Sequence, residues 1–376
     1  MPFEYYQYIG NEKLRFGYTT GTCAALASKA AVYMLLNKRK CNEASVMTPK
    51  GIEVKTEIYD IDLNENFTSC AVKKDGGDDY DATDGLLIYA KAEKTKSGIE
   101  IEGGKGVGRV TKKGLDQPVG SAAINSVPRK MIQTEIKRVC ENSNYKDGIK
   151  ITIFVPEGEK AAEKTFNPNI GIVGGISIIG TSGIVEPKSL KALADTVKLE
   201  IGVIRKSGSD KIIITPGNYG ESYIKKMGIK GVQYIKCSNF VGVAVEKASQ
   251  EHFKDILLVG HIGKFIKLSG GIMNTHSAMG DCRMEILASY AALFGIDKKG
   301  VEKIFDCAVC DEALDIINRY GLLKETMDYA VKRAQMYIMR HVDKESNIGI
   351  VFFSNKYGLL AESSGAEKIL AKWRKK

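Results

Sequence analysis

The sequence is poor in tryptophan, with a single Trp in 376 residues, and it contains no aromatic motif of the kind that reads RNA bases. Its eight cysteines are scattered without the spacing of a disulfide framework. The one Cys-x-x-Cys pair, Cys307 and Cys310, has no second pair or histidine neighbour that would complete a zinc site. We therefore predict no metal site and interpret the pair as buried thiols.

Targeting segments and standard nucleotide-binding motifs are also missing. Residues 1–18 lack the apolar stretch of a secretory signal. The uncharged run 165–185 approaches the length of a membrane span, but its five glycines favour a buried strand and loop. The chain has no GxxxxGK[ST] P-loop, and its Gly-rich stretches 103–108 and 260–263 do not follow the dinucleotide fingerprint. We expect a cytoplasmic protein, and no standard motif identifies its cofactor.

The chain is basic, because 55 Lys and Arg residues against 45 Asp and Glu residues give a net charge of +10. A surplus of this size favours an anionic partner, either nucleic acid, a membrane surface or a small polyacid. The basic residues occur mostly as separated pairs, and the one dense run lies at 372–376. We disfavour nucleic acid and a membrane, and a basic surface without a specific partner remains the alternative.

The pattern of predicted elements changes near residue 166. Before it, helices from Thr19–Thr22 and over 128–142 accompany short strands, which we place at 54–59, 68–72, 86–91, 99–102 and 151–155. After it, three units repeat the order strand, polar loop and helix, with strands at 211–215, 232–236 and 255–259. We predict an α+β domain over 1–165 and an α/β domain over 166–376. The second domain is predicted to have a Rossmann-like, open, mostly parallel sheet and a helical C-terminal part.

The three strand–loop–helix units predict one ligand-binding edge. In an open parallel sheet, ligands bind beyond the carboxyl ends of the strands, and each of these strands is followed by small or polar residues. A nucleotide-like cofactor fits such loops, although turn and helix-capping residues alone would give the same pattern. The candidate cofactor-binding residues are Gly217, Asn218, Ser238, Asn239, Gly260 and Gly263.

Two stretches nearer the N-terminus are also candidates for binding. Thr19, Thr20 and Thr22 stand at a helix start, where hydroxyls, free N–H groups and the helix dipole attract anions, but plain N-capping explains them equally well. We interpret Cys23 beside them as packed rather than nucleophilic. The loop 75–85 holds five carboxylates whose spacing fits no EF-hand, and we interpret it as a solvated turn, with cation binding left open.

Six long stretches of the chain together resemble one family. RFGYTTGTCAALASKAA at 15–31 and LLVGHIGKFIKLSGGIMNTHS at 257–277 are two of them. The others lie at 107–132, 170–187, 215–221 and 236–242. Stretches of this length are far more specific than a four-residue motif. The chain resembles the cobalt-precorrin-5B C1-methyltransferases of the anaerobic route to cobalamin.

The resemblance implies transfer of a methyl group from S-adenosylmethionine to C1 of cobalt-precorrin-5B, giving cobalt-precorrin-6A. The partner is then a macrocycle with acetate and propionate arms, which suits a basic protein, and cobalt arrives inside the substrate. We expect 1–165 to frame the macrocycle and 166–376 to hold the cofactor. The expected macrocycle-binding residues are Thr19, Thr20, Thr22, Arg109, Arg129, Lys264 and Lys267.

A catalytic base that takes a ring proton is the least defined part of this function. Imidazole titrates near neutral pH, and His261 and His276 flank the Gly-rich segment 260–276 that leaves a strand. We name His261 as the first candidate and His276 as the second, although either could orient a loop or hold a substrate carboxylate. Two other functions stay open, a non-enzymatic corrinoid carrier and a nucleotide-dependent tetrapyrrole oxidoreductase. Assembly as a homo-oligomer also stays open.

Overall fold

The chain divides into two units after Leu190. In the computed structural model, which describes residues 3–9, 12–187, 189–343 and 345–374, unit 1 comprises Met1–Leu190 and unit 2 comprises Lys191–Lys376. The boundary that we expected after residue 165 lies earlier than this division. No helix within the described ranges combines the length and the hydrophobicity that crossing a bilayer requires.

Unit 1 is built from short strands and two long helices. Its helices are α1 (Thr20–Asn37), α2 (Ser126–Asn142), α3 (Gly158–Ala162) and α4 (Asn167–Ile170). Its strands are β1 (Tyr6–Ile9), β2 (Glu12–Arg15), β3 (Gly17–Tyr18), β4 (Glu43–Met47), β5 (Glu53–Glu57), β6 (Tyr59–Leu63), β7 (Phe67–Lys73), β8 (Leu87–Thr95), β9 (Ile99–Gly103), β10 (Gly106–Val107), β11 (Arg109–Val110), β12 (Gly148–Phe154), β13 (Ile172–Val173), β14 (Gly175–Ile176) and β15 (Ile184–Val185). The strands and helices predicted for this part correspond to α1, α2, β5, β7, β8, β9 and β12.

The centre of unit 1 is a helix packed on a sheet. Strands β6, β7, β8, β12 and β9 form a five-stranded sheet in that order, antiparallel except for the parallel pair β12–β9. Helix α1 packs against β7, β8 and α2. Because α1 is rich in small apolar side chains, it is buried on nearly all sides, and Ala24, Ala27 and Ala31 are inaccessible to solvent.

Three two-residue strands in the segment 172–185 complete unit 1. Strand β13 pairs with β11, β14 with β10, and β15 with β3. These pairings join this segment to strands that are distant in sequence, and so they move the boundary to Leu190. A two-residue strand has too little hydrophobic alternation to be recognised from sequence, which explains the earlier boundary that we expected.

Unit 2 alternates strands and helices and then becomes helical. Its strands are β16 (Lys211–Thr215), β17 (Tyr234–Lys236), β18 (Asp255–His261), β19 (Asn347–Ser354) and β20 (Gly358–Glu362). Its helices are α5 (Leu190–Lys206), α6 (Asn218–Lys226), α7 (Val241–Gln250), α8 (Ile262–Ser269), α9 (Arg283–Leu293), α10 (Lys298–Phe305), α11 (Cys310–Arg319), α12 (Leu323–Ile338) and α13 (Ser364–Arg374), with 3₁₀ helices at Ser277–Met279 and Met339–His341.

The sheet of unit 2 has the order β17-β16-β18-β19-β20. The first four strands are parallel, and β20 is antiparallel to β19. Ile212 and Ile214 pack into one hydrophobic core, whereas Ile213 between them packs into another. Successive side chains of a strand point to opposite faces, so both faces of this sheet are covered, as the apolar runs predict. The predicted mixed α/β class is confirmed.

The start of β18 is held by the C-terminal helix. Asp255 Oδ2 accepts hydrogen bonds from Lys372 Nζ at 2.7 Å and from Trp373 Nε1 at 3.2 Å, and Asn347 Nδ2 donates to Oδ1 at 3.0 Å. Burial alone would raise the pKa of this carboxyl, but these donors hold it below its ordinary value. The single tryptophan of the chain is therefore part of the packed structure of unit 2.

Candidate functional site

The loops after β16, β17 and β18 emerge at one edge of the unit 2 sheet. The three strands are parallel, with β16 between the other two, so their last residues, Thr215, Lys236 and His261, lie at the same edge. Helix α6 begins at Asn218 and α8 at Ile262, directly after these ends. The structure thus brings the three predicted loops together, and we call this region the carboxyl edge.

An exposed group of side chains lies at the carboxyl edge. Asn218 and Ser238 are exposed, and Tyr219 is 67% exposed with its ring centroid 5.6 Å from that of His261. A Cβ atom added to Gly217 would meet no atom within 4 Å. This part of the edge offers a ligand an aromatic face, an amide, a hydroxyl and open space beside the backbone.

Asn239, Lys264 and Lys267 are engaged inside unit 2. Lys264 Nζ donates to Asn239 Oδ1 at 2.8 Å, and burial lowers the pKa of this lysine. Lys267 is buried, donates to the Thr275 carbonyl at 3.2 Å and lies 3.3 Å from Asp281 Oδ1. These contacts fix the segment around Thr275, so the geometry does not support the macrocycle-binding role expected for Lys267.

His261 serves as the N-cap of α8. Its Nδ1 accepts a hydrogen bond from the Gly263 N–H at 3.1 Å, so the neutral ring carries its proton on Nε2. Nε2 is buried and has no hydrogen-bond partner among the described residues. Burial lowers the pKa of His261, against the opposing charge of Asp311. Neither ring nitrogen is placed to take a proton from a substrate, which corrects the expectation that His261 is the first candidate for the base.

Gly260 and Gly263 have structural reasons to be glycine or small. Gly260 lies within β18, and a Cβ atom there would come 2.3 Å from the ring of Phe265. Gly263 lies inside α8 and gives its N–H to the His261 cap. The close approach at Gly260 is therefore made by the chain's own phenylalanine, and the geometry does not support the cofactor-binding role expected for Gly260.

His276 lies in an exposed loop of unit 2. Its Nδ1 accepts from the Ala278 N–H at 3.1 Å, and its own N–H donates to Asn274 Oδ1 at 3.1 Å. The His276 side chain is exposed, whereas His261 is half-buried and its Nε2 is buried. Of the two predicted histidines, His276 is the more accessible.

The predicted anion site at the start of α1 is filled by unit 1 itself. Thr19 is the N-cap, with its hydroxyl accepting from the Thr22 N–H at 3.3 Å. Thr20 Oγ1 accepts from the Ile179 N–H at 2.9 Å, and Thr22 Oγ1 donates to the Gly183 carbonyl at 2.7 Å. All three threonines are buried. Helix capping explains Thr19, and Thr20 and Thr22 tie the 177–183 segment to the helix.

Cys23, next to these threonines, is not a nucleophile. Its thiol is fully buried, and burial raises its pKa to about 12. This confirms the interpretation that Cys23 is packed. In the Cys-x-x-Cys pair of unit 2, Cys310 is buried, but Cys307 is only partly buried, so the buried-thiol interpretation holds for one of the two.

The two arginines expected to bind the macrocycle differ in solvent exposure. Arg109 is exposed, and its guanidinium donates to Glu102 Oε1 at 2.7 Å and to the Gly103 carbonyl at 2.8 Å. Arg129 is half-buried and donates to the carbonyls of Ile124 and Ile101 at 2.8 and 2.9 Å. Burial lowers the pKa of Arg129. Both guanidiniums support their own loops.

Carboxylates of the acidic loop 75–85 form ion pairs within unit 1. Asp75 binds the guanidinium of Arg15 through both oxygens, at 2.6 and 2.8 Å. Asp81 Oδ2 accepts from Lys74 Nζ at 2.8 Å, and the Lys74 side chain is only 1% exposed. Within the ranges that the structure describes, no group of three His, Cys, Asp or Glu side chains is placed to hold a metal ion. Two of the five carboxylates are thus held in ion pairs, while Asp78 and Asp84 remain exposed.

Unit 1 also contains a polar cleft of about 510 Å³ beside the acidic loop. Tyr18 and Tyr59 line it together with Lys55, Lys73 and Asp84. Tyr18 donates through its hydroxyl to the Lys73 carbonyl at 2.8 Å, and Lys55 pairs with Glu43 at 2.5 Å. A volume of this size is in the range of small-molecule sites.

Sequence reasoning missed two side chains of the carboxyl edge. Tyr219 follows Asn218 directly, and Lys236 ends β17 and donates to Asn218 Oδ1 at 3.3 Å. Both stand in or next to loops that the pattern marks. Sequence alone cannot distinguish an exposed aromatic residue from a core residue, so the pattern does not indicate that Tyr219 is exposed.

Comparison with known proteins identifies relatives along nearly the whole chain. Family models described as CbiD and as CbiD, C-terminal domain match residues 7–187 and 274–364. A Thermoanaerobacter protein named cobalt-precorrin-5B C(1)-methyltransferase is 46% identical, over 96% of this chain and 98% of the relative. Proteins of the same name from Ruminiclostridium cellulolyticum and Clostridium perfringens are 45% and 43% identical, over 92% and 97% of this chain and 90% and 99% of their own.

One solved structure is also similar. It is a crystal structure of a cobalamin biosynthesis protein (cbiD) from Archaeoglobus fulgidus, 29% identical, covering 70% of this chain and 83% of that chain with a TM-score of 0.40. The family assignment rests on the sequence matches above, which exceed 40% identity over more than nine-tenths of the chain. The chain belongs to the CbiD family.

Proposed function

We propose that this protein transfers a methyl group from S-adenosylmethionine to C1 of cobalt-precorrin-5B, giving cobalt-precorrin-6A. The observation that carries the proposal is the shared name of relatives that match this chain from end to end at 40–46% identity. The net charge of +10 supports it, because the substrate is a macrocycle with carboxylate arms.

In this proposal, unit 2 binds the methyl donor and unit 1 binds the macrocycle. The support for unit 2 is its sheet, in which parallel strands end at an edge that carries exposed polar and aromatic side chains. The support for unit 1 is its polar cleft of about 510 Å³, which has the volume of a small-molecule site and is lined by three lysines and three carboxylates.

The residues at the carboxyl edge fit the methyl donor. Tyr219 offers an exposed ring for an adenine, and Asn218 and Ser238 offer hydrogen bonds for hydroxyl and amino groups. Thr215 Oγ1, at the end of β16, is buried with no hydrogen-bond partner among the described residues. Gly217 leaves space for close approach to the backbone. We therefore assign the donor to Gly217, Asn218, Tyr219 and Ser238, and leave Gly260 and Gly263 out.

The chemistry asks little of the protein beyond alignment. S-adenosylmethionine supplies a methyl group that its sulfonium already activates. The C–S bond breaks as the bond to the electron-rich ring carbon forms, and S-adenosylhomocysteine leaves with the electron pair. The chain then has to hold the two reactants in line and exclude water.

If a ring proton has to be removed, His276 is the residue that we assign to it. Its Nδ1 is fixed by the Ala278 N–H, so the neutral ring has its proton on Nε2 when Nδ1 accepts. To accept the ring proton, the exposed imidazole has to turn so that Nδ1 leaves the Ala278 N–H and faces the substrate. This second candidate of the sequence therefore replaces His261.

The proposal is tested by incubating the purified protein anaerobically with cobalt-precorrin-5B and methyl-labelled S-adenosylmethionine. We expect the macrocycle to gain the mass of one methyl group, with label, and S-adenosylhomocysteine to appear in equal amount. A Tyr219→Ala variant should bind S-adenosylhomocysteine more weakly in calorimetry, and Tyr320→Ala, at another exposed tyrosine of unit 2, is the control.

Two results would contradict the proposed methyl transfer or the role of His276. If the macrocycle binds tightly but gains no mass in the presence of the methyl donor, the protein is a carrier of a corrinoid intermediate. If His276→Asn leaves both kcat and its pH profile unchanged, the reaction needs no protein base at this position.

A further inference from the structure

A second cleft of unit 1, about 420 Å³ in volume, runs along one face of α2. Lys130, Thr134 and Arg138 of α2 line it, and they are spaced four residues apart, so they lie on one face of the helix. The opposite wall includes Met47 at the end of β4.

The floor of this cleft is apolar although it opens to solvent. Val46 and Met131 are buried, with 2% and 9% of their surface exposed, while Val127 is half-buried. Met47 is 54% exposed, which is unusual for a thioether at the end of a strand. Such a surface favours a ligand with a broad apolar body.

The charges around the floor are predominantly positive. Glu135, 3% exposed, is neutralised twice, by Lys29 Nζ at 2.8 Å and by Arg138 Nη1 at 2.7 Å. Arg138 remains 58% exposed in its side chain. Lys130 is exposed, and no hydrogen bond or ion pair joins it to any residue for which the structure gives a position. The lining therefore holds two cations and one buried carboxylate, whose charge Lys29 also offsets, and so the cleft attracts anions.

We propose that the α2 cleft binds an edge of the macrocycle, with a carboxylate arm between Lys130 and Arg138 and the apolar ring on Met47, Val127 and Met131. The inference rests on the proposed function and names the subsite for its substrate. An apolar body with anionic arms is the ligand that matches both the floor and the charges. Arg138 suits this role, because part of its guanidinium is held by Glu135 and the rest is free to donate.

The role of the Lys130 charge in ligand binding is tested by titrating uroporphyrin, a fluorescent tetrapyrrole with carboxylate arms, into the full chain. Lys130→Glu should weaken binding about tenfold, since it replaces an attraction by a repulsion. Lys137→Glu is the matched control, because Lys137 is exposed on the same helix, changes the net charge equally and does not line the cleft. Equal effects of the two variants would mean that only net charge matters, and the proposal would fail.

The shape is tested by filling the cleft without removing a contact. Thr134→Trp places a large ring into the cleft from an exposed helix position and should abolish uroporphyrin binding. Gln133→Trp, at the neighbouring exposed position outside the cleft, should leave binding unchanged. Absence of uroporphyrin binding by the wild-type chain, or binding that survives Thr134→Trp, would overturn the proposal.

Steady-state kinetics of methyl transfer distinguish a failure of the α2 subsite from a failure of the proposed function. In the methyl-transfer assay, Lys130→Glu should raise KM for the macrocycle and leave kcat nearly constant, which is the pattern of a lost binding contact. A wild-type chain that methylates the macrocycle while Lys130→Glu keeps its KM refutes the subsite alone. A wild-type chain that binds but never methylates refutes the proposed function alone.

Discussion

At the start of α1 in unit 1, Thr20 and Thr22 are buried, and their hydroxyls bond to the 177–183 segment of the same unit. At the start of α6 in unit 2, Asn218 and Tyr219 keep much of their surface exposed. Both helix starts have the same sequence signal, namely polar side chains where N–H groups are free. What differs is whether a distant segment of the chain folds back onto them.

The comparison teaches that a polar helix start is a binding site only when the fold leaves it uncovered. In unit 1 the covering segment, 177–183, lies between the two-residue strands β14 and β15 and comes from far along the chain. In unit 2 the parallel strands all end at the same edge, and their loops continue directly into helices. Polar residues of unit 1 should therefore affect stability, and those of the carboxyl edge should affect binding.

The largest effect is expected at the buried ion pair of unit 1. Asp81→Asn leaves the Lys74 ammonium buried without its counter-charge, which should cost about 3–5 kcal/mol of unfolding free energy in urea. The double variant Lys74→Met/Asp81→Asn should recover most of this loss. Asp328→Asn, which breaks the exposed pair with Lys324 in unit 2, should have no measurable effect.

The same pair predicts acid sensitivity. Burial alone would raise the pKa of Asp81, but Lys74 and Thr83 hold it below its ordinary value. A carboxyl with a lower pKa in the folded state contributes stability above the unfolded value of about 3.9, and this contribution is lost as pH falls through the folded value. Urea unfolding at pH 7 and at acid pH should show a smaller pH effect in the double variant.

Two glycines at the carboxyl edge should separate packing from binding. Gly260→Val places methyl groups against the Phe265 ring and should cost about 1–3 kcal/mol of stability. Gly217→Val enters open space from an extended backbone, so it should leave stability unchanged and weaken S-adenosylhomocysteine binding. Thermal unfolding and calorimetry measure the two effects. Equal stability losses would show that the space at Gly217 is not open.

A smaller loss is expected at the start of α1. Thr20→Ala removes the acceptor of the Ile179 N–H and should cost about 1–2 kcal/mol of unfolding free energy. Uroporphyrin affinity should not change, because the hydroxyl is occupied within unit 1. A loss of affinity at full stability would return Thr20 to the macrocycle site.

The smallest effect should come from His261→Asn, since Asn is also a good N-cap. Burial lowers the pKa of His261 in the folded state, so its contribution to stability is complete above the unfolded value of about 6.5 and is lost as pH falls through the folded value. The variant should match the wild type at pH 8, both in stability and in methyl transfer, and lose less stability on acidification. A large fall in kcat at pH 8 would restore His261 as a base.

The sequence predicts the elements of unit 2 better than their contacts. Strand β16 was predicted at its observed bounds, because Lys211–Thr215 is an apolar run between polar loops. The pattern could not show that Gly260 faces Phe265, since that contact depends on how α8 packs. Nor could it show that His261 turns its Nδ1 to the helix it precedes. Candidate residues can be located from sequence. Tertiary packing then decides which of them are occupied by contacts within the protein and which remain available to a ligand.

The bond between Trp373 and Asp255 has a practical consequence. The only indole of the chain belongs to unit 2, packed at the start of β18. Intrinsic tryptophan emission therefore reports on unit 2 alone, while far-ultraviolet circular dichroism reports on both units. If the two signals melt at different temperatures, the units unfold separately, and each variant above can be assigned to its own unit without labelling the protein.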